Sequence, residues 1–321
     1  MHNGGMPLQM KASSIRLRPL APILAAIACL FFAAPLRAAD SVDGSINVNG
    51  VTRSYRLFVP GAVKGKRPPA FVMLHGATGT SAQQERYSNF DELAAREGLA
   101  VVYPQGIGRR WNDGRKLDSA STADDVAFLR TLIGKLVAQG DADPKRVYVV
   151  GISNGGMMSL HMACVASDLI AGIGVVAAEM PAAVDCPSPR PMPVIIFHGT
   201  GDRIVPFDGG PIHAGLRNRG SVHSNAETVA FWQRENGCGA PTRHEIAGTN
   251  SSSGMRVVVE DFPCPPGRGL KDVIVEGGGH TWPGAHQGLI ITMLLGRVTD
   301  DINADDMMWQ FFQSQSLSDH P

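Results

Sequence analysis

Two glycines at fixed distances from one serine constrain this chain more than any other feature. The stretch Val147-Tyr148-Val149-Val150-Gly151-Ile152-Ser153-Asn154-Gly155-Gly156-Met157-Met158 begins as a β-branched run, stops at a turn and continues with helix-compatible residues. That is the strand-turn-helix setting of a G-x-S-x-G nucleophile elbow. Such a turn has no room for side chains at its flanks, so Gly151 and Gly155 stand two residues either side of Ser153, and the serine hydroxyl is left exposed above the sheet. With 37 glycines in 321 residues the pattern alone decides little. Its context decides, and Ser153 is the candidate nucleophile.

The elements around the elbow alternate in type. Residues 46–48 and 51–59 flank Asn49-Gly50, a hairpin with a type I′ turn signal. Ala70 to Leu74 is a buried-strand run ending at His75-Gly76, residues 81–97 look helical, and Leu99 to Tyr103 reads as the next strand. A long polar loop over 105–120 holds Trp111, and a helix over 122–139 takes Thr122 as its N-cap. Further strands are expected at 173–177, 194–197, 256–262 and 272–276, with helices at 225–236 and 304–314. Strands alternating with helices predict an α/β fold, a mainly parallel central sheet covered on both faces, with ligands at the carboxyl ends of the strands.

A serine hydroxyl needs an imidazole to take its proton, and the imidazole needs an acid to fix its tautomer. In this architecture they follow in the order serine, acid, histidine. The strand at 194–197 runs into His198-Gly199-Thr200-Gly201-Asp202, and the strand at 272–276 into Gly277-Gly278-Gly279-His280. Asp202 and His280 are therefore the expected acid and base, with Asp208 as the rival acid in the same loop. The oxyanion of the transition state needs fixed N–H donors. The backbone of Asn154 supplies one, and that of Ala77, in the loop after the early strand, the other. His75 is expected to brace that loop rather than act as base.

The first 39 residues differ in kind. Lys11, Arg16 and Arg18 precede an apolar run from Leu20 to Ala34, followed by small residues placed for cleavage near Ala38 or Ala39. This is the pattern of a signal peptide, and the run of about 15 residues is short of the roughly 20 that a membrane span needs. The expectation is a secreted or periplasmic protein with residues 40–321 as a single catalytic domain and no stable membrane anchor after cleavage. Removing the leader's four basic residues leaves 25 against 29 acidic groups, net −4, with no basic stripe to suggest nucleic acid as partner. Four cysteines remain, Cys164, Cys186, Cys238 and Cys264, without a zinc spacing. Asp301-Ile302-Asn303-Ala304-Asp305 begins like a calcium loop but has Asp306 in place of the required glycine. No metal and no cofactor is implied.

Gly151-Ile152-Ser153-Asn154-Gly155-Gly156-Met157, His198-Gly199-Thr200-Gly201-Asp202 with Val205-Pro206, and Gly277-Gly278-Gly279-His280-Thr281-Trp282-Pro283-Gly284 together resemble the polyhydroxybutyrate depolymerase and feruloyl esterase family. Trp111-Asn112-Asp113-Gly114 and Asp124-Asp125-Val126 also match its pattern. The resemblance implies an α/β-hydrolase fold and a secreted serine ester hydrolase using Ser153, Asp202 and His280, with Trp111 and Trp282 as walls of the substrate site. Four cysteines allow three pairings. Cys164 with Cys186 and Cys238 with Cys264 is favoured because each closes a modest loop, and the resemblance suggests the second. The same triad would serve an amide-cleaving enzyme, and a binding protein on a hydrolase scaffold is the reading of another class. No linker or polymer-binding module follows the last helix, so the expected substrates are soluble aryl, feruloyl or hydroxyacid-oligomer esters rather than solid polymer.

Overall fold

The central strands are joined by crossovers, most of them through a helix, that return the chain to the same end of the sheet, which is what lets neighbouring strands run parallel. The computed structural model describes residues 1–2, 41–115, 122–187, 189–213, 219–246 and 254–317. The expected leader, apart from its first two residues, lies outside the described residues. The strands are β1 (Val42–Val48), β2 (Val51–Phe58), β3 (Ala70–Leu74), β4 (Ala100–Pro104), β5 (Val147–Ile152), β6 (Gly172–Val176), β7 (Val194–Gly199), the short β8 (Gly210–Pro211) and β9 (Ser221–Val222), β10 (Thr242–Ile246), β11 (Arg256–Phe262) and β12 (Leu270–Glu276). The helices are α1 (Ser81–Ser88), α2 (Phe90–Glu97), α3 (Asp125–Gln139), α4 (Asn154–Val165), α5 (Asn225–Asn236), α6 (Leu289–Leu295) and α7 (Ala304–Phe312).

One sheet runs in the order β1-β2-β4-β3-β5-β6-β7-β12-β11-β10. Neighbours from β4 to β12 are parallel, and antiparallel pairs close both flanks. The hairpin expected at Asn49-Gly50 joins β1 to β2, with φ of 52° and 82° at the two turn residues, the left-handed pair that a type I′ turn requires. Side chains alternate between the two faces. Val72, Leu74 and Val149 join one core with α3 and α4, while Phe71, Met73 and Tyr148 join a second with α2 and α7. On α3, Phe128, Leu129, Leu132, Ile133 and Leu136 form the buried stripe, each stabilising by about 2 kcal/mol relative to exposure. Both expected disulfides are formed, Cys164–Cys186 and Cys238–Cys264.

One local expectation is refined and one is corrected. Residues 81–97 are helical as expected but divide into two helices, because Asn89 adopts φ 55°, ends α1 through its N–H to Glu85 O and stands as the N-cap of α2. The cap of α3 is Asp124, whose side chain accepts from Ala127 N, and not Thr122. Asp125, freed from capping, is buried, takes Arg53 of β2 as an ion pair and accepts from Asn112 N at 2.7 Å. The exposed edge strand β10, the apolar helix α6 and the two-residue strands β8 and β9 had no counterpart in the sequence reading.

At the elbow β3, β5 and α4 approach more closely than side chains permit. A Cβ on Gly151 would lie 2.4 Å from the Gly155 carbonyl carbon, and one on Gly155 would lie 2.3 Å from Leu74 O. Both obstacles are backbone, so nothing yields by rotating. Gly155→Ala should therefore cost about 3 kcal/mol or more, as severe overpacking does. Gly134, inside α3, faces open space, and Gly134→Ala should stabilise by about 0.5–1 kcal/mol. Urea denaturation of both variants checks the pair of signs, and a neutral Gly155→Ala would refute the packing argument.

Candidate active site

The turn between β5 and α4 holds Ser153 at φ 57°, ψ −124°, a conformation costly for a side-chain-bearing residue and fixed here by Ser153 N donating to Val176 O and Met157 N to Ser153 O, each at 2.9 Å. Ser153 opens onto a cavity of about 610 Å³, whose lining also includes His280, Ala77, Trp111, Met157 and Arg109. Asn154 begins α4, so its backbone N–H is one of the helix's first four, which have no partner within the helix. Gly76 and Ala77 run past the serine, for a Cβ on Gly76 would sit 3.4 Å from Ser153 Cβ. In the same loop Thr78 N donates to Arg109 O at 2.8 Å and Gly79 N to Gly76 O at 3.0 Å, which fixes the path of the backbone at Ala77.

Parallel pairing of β7 with β12, Ile274 opposite His198 and Val275 opposite Gly199, makes the two following loops leave the sheet side by side. Gly201 N donates to Gly278 O at 2.8 Å and Gly277 N to Thr200 Oγ1 at 2.9 Å. The result is a 2.7 Å hydrogen bond from His280 Nδ1 to Asp202 Oδ2, which leaves Nε2 as the other ring nitrogen of a residue that lines the serine's cavity. Asp202 Oδ1 accepts from Ile204 N at 2.8 Å and Val205 N at 2.9 Å. The rival acid, Asp208, is exposed.

Behind Asp202 lies a buried group that the sequence reading passed over. His198 is sealed from solvent between two carboxyls, with Nδ1 at 2.6 Å from Glu179 Oε1 and Nε2 at 3.2 Å from Asp202 Oδ2. Nε2 is also 3.0 Å from Val205 O, a carbonyl that only accepts, so that nitrogen carries a proton. Burial alone would lower the pKa of His198, but the hydrogen bonds to Asp202 and Glu179 outweigh it and push the value up to about 10. Burial likewise opposes ionisation of Asp202, and the hydrogen bonds from His198 and His280 reverse that, holding it well below the usual carboxylate range. Asn225 Nδ2 then bridges Glu179 Oε1 at 3.3 Å and Asp272 Oδ1 at 3.2 Å. Burial pushes Asp272 up to about 8. The signal for this network was the four-residue spacing of His198 and Asp202; Glu179 and Asn225 left none.

Asn154 is held by its side chain as well as by the helix. Its Oδ1 accepts from Trp111 N at 2.8 Å, and its Nδ2 donates to Trp111 O at 3.1 Å and to Asp113 Oδ2 at 2.6 Å. Arg115 pairs with Asp113 in turn. Trp111 lines the cavity, but its indole N–H is committed to His75 O at 2.8 Å and its ring packs on the His75 imidazole at 4.9 Å. His75 braces the loop: Nε2 accepts from Gly106 N at 3.1 Å and Nδ1 lies 2.8 Å from Gly76 O. Burial lowers its pKa.

Trp282 is elsewhere. Two residues after His280 the chain turns inward at Pro283-Gly284, and the Trp282 indole, 1% exposed, enters the core beneath α7 with Nε1 on Asp305 Oδ1 at 2.8 Å. It does not line the cavity, which corrects the expectation of a substrate wall.

The family model of the PHB depolymerase esterases matches residues 53–180. The putative esterase NocK of Nocardia uniformis subsp. tsuyamanensis is 34% identical over 263 residues, covering 78% of this chain and 76% of that protein. Feruloyl esterase B of Piromyces equi is 28% identical over 231 residues, 70% of this chain but 41% of its own length. Poly(3-hydroxybutyrate) depolymerase of Ralstonia pickettii is 31% identical over 156 residues, 45% of this chain and 31% of its own length. Among solved structures, acetyl xylan esterase from Aspergillus awamori superposes with a TM-score of 0.54 at 17% identity, over 85% of this chain and 99% of that one. That is a likeness of fold, and the fold is the α/β-hydrolase fold.

The buried network predicts a pH dependence of stability. A histidine whose pKa rises on folding from about 6.5 to about 10 stabilises fully below the lower value and loses that contribution as pH climbs through the upper one. Asp272 opposes folding increasingly up to about 8 and contributes no further slope beyond it. Between pH 8 and 10 the unfolding free energy should therefore fall by roughly 1.4 kcal/mol per pH unit, one proton's worth. His198→Gln should abolish that slope in guanidinium titrations. An equal slope in both proteins would show that His198 is not protonated in the fold.

Proposed function

The chain belongs to the PHB depolymerase family of esterases, and from that premise we propose that it is a serine carboxylic ester hydrolase acting through Ser153, His280 and Asp202. The observation that carries the reading is the 2.7 Å bond between His280 Nδ1 and Asp202 at the rim of the cavity onto which Ser153 opens. Ser153 Oγ attacks the ester carbonyl carbon and passes its proton to Nε2 of His280. The carbonyl oxygen, now an oxyanion, is met by the N–H groups of Asn154 and Ala77. Collapse breaks the bond to the alkoxide, which leaves as the alcohol with the proton held by His280. Water then attacks the acyl-serine by the same route, releasing the acid and restoring the hydroxyl. Asp202, fixed on four sides, keeps the imidazole in the tautomer that this cycle uses and offsets its charge.

Two disulfides and an amino-terminal leader pattern support an exported protein, periplasmic or extracellular, whose catalytic domain spans 40–321. The names carried by the relatives, feruloyl esterase and poly(3-hydroxybutyrate) depolymerase, support aryl and hydroxyacid esters as substrates. Of the two tryptophans suggested by sequence, Trp111 remains on the cavity wall.

Ser153→Ala, Asp202→Asn and His280→Ala should each lower kcat for p-nitrophenyl acetate by roughly 10⁴-fold with circular dichroism unchanged. Asp208→Asn should stay within about two-fold, as surface substitutions do. A crippled Asp208→Asn beside a mild Asp202→Asn would reassign the acid.

A further inference from the structure

α6 reads Leu-Ile-Ile-Thr-Met-Leu-Leu and carries no charge from Gly288 to Gly296. It does not bury this surface. Leu289 is 78% exposed, Ile290 74%, Ile291 43%, Met293 77% and Leu294 68%. The other large exposed apolar residues among those described, such as Val42, Val51 and Val165, are scattered singly along the chain, which is ordinary; five on one helix are not.

The helix is tied to the catalytic histidine's loop. His280 N donates to Leu295 O at 2.6 Å and Gly279 N to Arg297 O at 2.9 Å. A Cβ on Gly279 would lie 2.2 Å from Leu295 O, so the two backbones touch. At the other end Gln287 Nε2 donates to Gly296 O at 2.9 Å, and Gln287 Oε1 accepts from Tyr87 OH at 3.2 Å. Two residues of the helix, Ile291 and Leu295, line the cavity onto which Ser153 opens. The exposed patch and the cavity therefore share a rim, and whatever covers α6 lies over that rim as well.

We propose that α6 is an interfacial seat, docking on the surface of a water-insoluble aliphatic ester and so presenting the cavity to it. This rests on the reading of the cavity as an ester hydrolase site. A protein partner or a second copy of the chain seated on α6 would cover the cavity wall formed by Ile291 and Leu295, whereas a surface made of substrate feeds it. A helix that binds an anionic bilayer sets cations on its polar face, and α6 carries none.

The test compares the full chain with Ile290→Ser/Met293→Ser/Leu294→Ser, three side chains that do not line the cavity, and with Met293→Ser alone. Depletion onto amorphous poly(3-hydroxybutyrate) granules and the rate of granule hydrolysis should both fall at least ten-fold in the triple variant and part-way in the single one. kcat/KM for soluble p-nitrophenyl acetate should stay within two-fold, which also shows that the variants fold. Unchanged depletion overturns the proposal. So does a wild-type dimer in sedimentation that the triple variant splits, or depletion on phosphatidylglycerol vesicles but not on granules. A wild type that adsorbs yet leaves p-nitrophenyl acetate intact would sink the hydrolase reading instead and leave the seat standing.

Discussion

Parallel hydrogen bonding between β7 and β12 is the constraint on which the site depends. Asp202 and His280 are 78 residues apart in sequence, and nothing local brings them together. The ladder fixes the register, the register places two glycine-rich loops at one end of the sheet, and those loops then bond to each other through Gly201 N and Gly278 O. A Cβ on Gly199 would meet Gly278 O at 2.4 Å, so the approach depends on glycine there. The same logic holds at the elbow, where β3 and β5 pair in register and Gly155 lies against Leu74 O. Ser153 and His280 are thus delivered to one cavity by strands of a single sheet.

Placing an ionised carboxylate in a buried site costs several kcal/mol unless donors compensate. Asp202 receives two backbone N–H groups on one oxygen and faces His280 and His198 with the other. His198 is the unusual member, a sealed imidazole whose own charge is balanced by Glu179. The chain thus carries a second acid–histidine pair directly behind the first. Its effect is to hold Asp202 in one orientation and one charge state, which is what the tautomer of His280 rests on.

The sequence made some of this legible and hid the rest for physical reasons. β3, α5 and β11 were read at their observed bounds because each is a pure pattern, a buried apolar run or a capped helix. The break at Asn89 was missed because helix-forming residues lie on both sides and only a left-handed φ separates them. β10 was missed because an exposed edge strand, Thr-Arg-His-Glu-Ile, shows no apolar face. α6 was missed for the opposite reason, since an apolar run with no polar side has no amphipathic period to detect. Trp282 shows the limit of proximity along the chain: two residues from His280, its side chain lies in the core against Asp305 and not on the cavity. Residues at strand ends were placed by topology, while the partners behind them, Glu179 and Asn225, depended on packing that no spacing encodes.

The central claim is that Ser153 is a nucleophile activated by His280. Treating the protein with an aryl fluorophosphonate and mapping the adduct by peptide mass spectrometry tests it most directly. The account predicts a single stoichiometric adduct on Ser153 whose formation is lost in His280→Ala. An adduct on another residue, or labelling of Ser153 that proceeds as fast without His280, would contradict it.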